Sequence, residues 1–195
     1  MNSAAENAEL DRIYAAWCRL GVNFTGEPSV QPVDLELLIL ATARIARLDE
    51  RLTICAASWL ACYHSFADGR RLSELTRVAD SAVLPYLGAL LSLAVEAPEG
   101  AGKAPQFEAA LARCMPIRPM RALYDIAEAS PTMKAWMQAH SLPLYQRWGF
   151  WHDDATLKKV SIHSLYWVLR VPELQARARY GTSVYQSVVQ TQHNG

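Results

Sequence analysis

Lys158, Lys159, His163, Tyr166 and Arg170 fall within one stretch of helical periodicity. Counted from Leu157 at about 100° per residue, Val160, Ser164, Leu165, Trp167 and Val168 gather on one side of a helix over 155–170. Lys159, His163, Tyr166 and Arg170 gather on the other, with Lys158 beside them. Arg177 and Arg179 follow on a short helix that Pro172 opens. Ammonium and guanidinium groups neutralise phosphates and release counterions, and a tyrosine ring can lie along a nucleic acid backbone. The stripe therefore predicts contact with DNA or RNA. The plainer interpretation is a solvated helix face, which the balance of 19 basic and 19 acidic side chains favours for this helix taken alone.

Tyr145, Trp148, Phe150, Trp151, Tyr166 and Trp167 form a dense aromatic group. Such a group is either the core of a small helical domain, the more frequent case, or a protein-binding surface with Tyr145, Trp148 and Trp151 as its anchors. The run His152, Asp153, Asp154 resembles the histidine–aspartate pair of metal-dependent HD phosphohydrolases, in which imidazole and carboxylate hold a divalent metal. That chemistry also needs an earlier histidine, for which His140 is the nearest choice, and a later aspartate. No Asp follows Asp154, and helix capping explains these acids more economically. Cys55 and Cys62 share a helix face without further ligands nearby, and Cys62 and His64 point different ways. No phosphate-binding glycine loop is present. The sequence thus assigns no catalytic residue, metal site or cofactor.

The elements that must carry these residues are helical almost throughout. Leu10, Ile13, Tyr14 and Trp17 predict a first helix that Gly21 stops, and Leu35 to Ala46 predict a second. Asp49 is placed to cap a third, with Leu52, Cys55, Trp59 and Tyr63 on its broad apolar face. Its reverse carries Ala57, Ser58, Ala61 and Ser65, small enough for another helix to come close. A short helix with Leu72, Leu75 and Val78 precedes one from Asp80 or Ser81 to about Val95. This pair has a helix-turn-helix order, but its second helix offers no Arg or Lys and suits burial. After a linker over 98–105, helices are expected over 106–113, 119–128, 131–139, 142–148 and 155–170. Pro172 to Gln190, with a turn at Gly181, is the better helix-turn-helix candidate.

The fold class is all-α: a multi-helix bundle, as one domain or as two helical subdomains, 1–97 and 106–195, with a helix-turn-helix-like C-terminal part. Residues 1–117 carry 10 basic and 14 acidic side chains, whereas 118–195 carry 9 and 5. The first part is acidic and the second basic. With 51% hydrophobic and 19% charged residues, disorder is excluded and a large core is available. The scattered cysteines, the acidic start without an apolar core and the absence of a span-length apolar run point to a cytoplasmic protein off the membrane. Fifteen Arg against four Lys suit a bacterial, GC-rich source. The leading expectation is a non-enzymatic regulatory or accessory protein that binds nucleic acid through its C-terminal half. The alternatives are a protein-interaction adaptor or homodimer subunit without nucleic acid contact, and a metal-dependent hydrolase.

Overall fold

Ser3 and Glu6, three residues apart, close a capping box in which each side chain accepts the other's backbone N–H, and α1 (Ala4–Arg19) begins there. The same device, an acid or hydroxyl just ahead of an apolar run, starts most of the helices that follow. Asp34 accepts the Leu37 N–H at 3.2 Å and opens α2 (Leu35–Ile45). After a tight turn over Ala46–Leu48, Asp49 accepts the Leu52 N–H at the start of α3 (Glu50–Tyr63). Its other oxygen takes the Tyr14 hydroxyl at 2.6 Å, tying α1 to α3. Asp68 caps α4 (Gly69–Val78), and Asp80 holds the turn before α5 (Leu84–Glu96). Each such cap contributes about 1 kcal/mol. This computed structural model describes residues 3–22, 29, 31–98, 104–124, 130–152 and 158–160.

Three buried tryptophans cross-link the helices, and each indole N–H finds an acceptor. Trp17 donates to Thr42 Oγ1 on α2 at 2.9 Å, and Trp59 on α3 donates to the Leu20 carbonyl at 3.0 Å. Trp148 donates to Ser92 on α5 at 2.8 Å. Its ring lies over Gly88, one turn earlier, where an added Cβ would stand 2.5 Å from the indole. Glycine is what lets Trp148 lie flat on α5. That helix is buried continuously from Pro85 to Ala94, so the helix-turn-helix order of 70–91 presents no reading helix, as its composition indicated.

Beyond Ala104, a single turn over Pro105–Phe107 leads into α6 (Glu108–Leu111). The expected helix over 119–128 does not form across its described part. Instead Arg121–Ala122 is a short strand, β1, pairing in parallel with β2 (Phe150–Trp151), Arg121 opposite Phe150. The N–H groups of Ile117, Arg121 and Leu123 donate to the carbonyls of Trp148, Gly149 and Trp151 at 3.0 to 3.1 Å. Burial of Leu123 and Tyr124 along this ladder outweighs the helical bonds the segment would otherwise make. Residues 125–129 lie outside the described set. Ser130 caps α7 (Pro131–Ala139), as its place before proline predicted, and α8 (Pro143–Arg147) follows. Gly149 then reverses the chain at φ +82°, where a Cβ would meet the Ile117 carbonyl at 2.0 Å.

The protein is mostly helical with one two-stranded sheet. One hydrophobic cluster joins Ile13 and Trp17 to Phe107, Leu123, Tyr145, Phe150 and Val160. The small-residue side of α3 is used as its composition suggested. Ser58 Oγ lies 2.7 Å from the Ile54 carbonyl and 3.1 Å from that of Val160, whose side chain is fully buried. Among the described residues no helix is long and apolar enough to cross a membrane.

Candidate functional site

Residue types that do chemistry meet in two places. The first is partly buried. Glu50 stands in the first turn of α3, His152 directly follows β2, and Lys159 lies in the helical residues 158–160. The Lys159 ammonium is 2.5 Å from Glu50 Oε1, and His152 Nε2 is 3.4 Å from the same oxygen. His152, 3% exposed, meets the rings of Tyr124 and Tyr145 edge-on at 4.7 and 5.9 Å. Its backbone N–H donates to Ser141 Oγ at 3.1 Å.

The electrostatics follow from the geometry. The hydrogen bond from His152 holds the Glu50 carboxyl down to about 2; partial burial opposes this and the Lys159 contact reinforces it. Burial drives the Tyr124 phenol well above its ordinary value; Tyr145 reinforces this and the hydrogen bond with Thr53 opposes it. Burial likewise pushes the Cys55 and Cys114 thiols up to about 12, so neither is a thiolate nucleophile at neutral pH. An imidazole, a carboxylate and a phenol are the makings of acid–base catalysis. Here they face side chains of the core, so their action is to clasp: Glu50 fixes both the end of β2 and the 158–160 helix against α3.

The second place is exposed. Arg113 donates to Ser73 Oγ at 2.9 Å and Arg121 to the Tyr86 hydroxyl at 3.0 Å, and neither meets a carboxylate among the described residues. Among the described residues, Arg118, Lys134 and Lys158 form no ion pair with a carboxylate. Glu108 is the one acid described between Ala104 and Val160. The same stretch of sequence carries exposed apolar side chains: Met115 (65%), Met120, Met133 and Trp136 (46%). On α7, Trp136 and His140 stack with ring centroids 4.6 Å apart and planes at 19°.

Of the basic stripe read from the sequence, Lys158 is exposed and Lys159 is half-buried against Glu50. His163, Tyr166, Arg170, Arg177 and Arg179 lie outside the described residues, as do Asp153, Asp154 and the helix pair over 172–190. Tyr145, Trp148 and Trp151 are 0, 6 and 8% exposed; they sit in the interior rather than on an open surface. His140 stacks on Trp136, away from the Glu50 clasp, and among the described residues no three His, Cys, Asp or Glu side chains converge. Glu50, Tyr124 and Ser141 had no local signal. Glu50 and His152 are a hundred residues apart, and Glu50 read only as the start of a helix. No protein family, curated protein or solved structure matches the chain.

Proposed function

We propose that this is a non-enzymatic regulatory or accessory protein that binds nucleic acid with its second half. The observation that carries the reading is the unequal use of charge. Before α6, Glu6, Glu9, Asp34 and Glu36 pair with Arg47, Arg44 and Arg71, and Glu74 pairs with Arg70. After it, Arg147 pairs with Glu96 and Lys159 with Glu50, whereas Arg113, Arg118, Arg121, Lys134 and Lys158 have no carboxylate partner among the described residues. Exposed cations without a carboxylate partner raise the local potential and attract a polyanion. The Glu50 clasp anchors Lys159, whose neighbour Lys158 is exposed.

Fluorescence anisotropy with labelled single-stranded and duplex oligonucleotides over a salt series tests this. Micromolar or tighter binding is expected at low salt. Removing Arg118, Lys134 and Lys158 together as alanines should flatten the dependence of log K on log salt by about two to three. Folded protein that binds neither oligonucleotide at low salt overturns the reading. An adaptor for a protein partner would then be the better one, with Met115, Met120 and Trp136 as its contact candidates.

A further inference from the structure

α7 buries only Met137 among its described side chains and sits at the edge of the fold. Met133, Trp136 and His140 fall within about 60° of one another around its axis, and all three are exposed. An exposed tryptophan with a histidine stacked almost parallel to it is a preformed flat surface. The His140 Nδ1 lies 2.8 Å from the Trp136 carbonyl, which holds the imidazole in place. No acidic side chain occurs on α7, and Lys134 is its one charge.

The platform is also tied to the cations. Ser141, the residue after His140, accepts the His152 N–H; His152 and Lys159 share the Glu50 carboxylate; and Lys158 is the residue before Lys159. A flat aromatic face on a helix without carboxylates, linked through the Glu50 clasp to an exposed ammonium, suits a planar ring on an anionic backbone. A mainly apolar protein partner would need no such uncompensated charge around it. We infer that the Trp136–His140 pair of α7 stacks an unpaired nucleobase, and that the nucleic acid bound is single-stranded at this point. This rests on the nucleic acid reading above and narrows it.

The test compares a labelled single-stranded oligonucleotide with one of equal length and charge made wholly of abasic residues. Intact protein should favour the base-bearing strand by about tenfold, the usual effect of one stacked base. Trp136→Ala should erase that preference while keeping the abasic affinity and the salt slope; Trp136→Phe should retain most of it. Because Trp136 is exposed, both variants should keep the far-ultraviolet circular dichroism of the parent. Equal binding of the two strands by the parent, or a preference that survives in Trp136→Ala, overturns the stacking inference alone. Failure to bind either strand at low salt overturns the nucleic acid reading and this inference with it.

Discussion

The helices α1 to α5 and the region from Ala104 to Val160 share one core but use their side chains differently. In the first region the charged groups serve the architecture: aspartates start helices, and arginines of α2 and α4 take up glutamates and an aspartate. Its exposed large apolar residues, Leu37 and Val78, are isolated. In the second, most helices are short, and Arg113 and Arg121 lean on hydroxyls while Arg147 pairs with Glu96. Four of its large apolar side chains, three of them methionines, stand in water. An ion-paired frame thus carries a region in which Arg113, Arg118, Arg121, Lys158 and Trp136 are exposed. The Glu50 clasp and Trp148 are the joints between them.

Breaking the joint at Trp148 should have the largest effect. Trp148→Ala empties the pocket over Gly88 and orphans Ser92, and urea denaturation should show a loss of about 3–5 kcal/mol. A loss under about 1 kcal/mol would mean that the second region is only loosely attached, and the comparison would fail. Gly88→Ala attacks the same joint from α5. Its Cβ overlaps the indole, so a destabilisation of about 1–3 kcal/mol is expected.

Glu50→Gln sharpens the account by removing the clasp's charge. The folded carboxyl titrates at about 2, against 4.5 as its ordinary value. The stabilisation is therefore fully present above about 4.5 and is lost as pH falls through about 2. Half-burial screens it, leaving about 1 kcal/mol at neutral pH. Urea midpoints of parent and variant should differ at pH 7 and converge toward pH 2 to 3. A difference that grows on acidification contradicts the assignment. At the small end, Arg118→Ala with Lys158→Ala should change stability by less than about 0.5 kcal/mol, because neither side chain makes an ion pair that holds the fold.

Legibility in the sequence followed the range of the interaction. Asp49, Ser130 and Gly149 announced element boundaries because caps and turns act within three or four residues. The small face of α3 announced a close neighbour because helical period alone places Ala57 and Ser58 on either side of Ala61. The segment over 119–128 misled for the converse reason: its proline start is a local signal, while the ladder that captures Arg121 and Leu123 comes from residues near 150. The exposed platform was missed because exposure of Trp136 depends on what fails to cover it, which no local pattern encodes. The clasp joins positions 50, 152 and 159, and neither spacing nor periodicity relates them. That Tyr145 and Trp148 belong to the core was readable from their density, since aromatic clusters in helical proteins are more often interior.

The central claim is that the second region holds the cations that act, and a matched pair of charge deletions tests it most directly. Arg12 and Arg77 are first-region arginines that also form no ion pair with a carboxylate among the described residues. Arg12→Ala with Arg77→Ala and Arg118→Ala with Lys158→Ala remove the same charge, and anisotropy with one single-stranded oligonucleotide across a salt series compares them. The account predicts parental affinity and salt slope for the first pair, and weaker binding with a slope reduced by about one to two for the second. Equal losses in both pairs, or none in either, would contradict it.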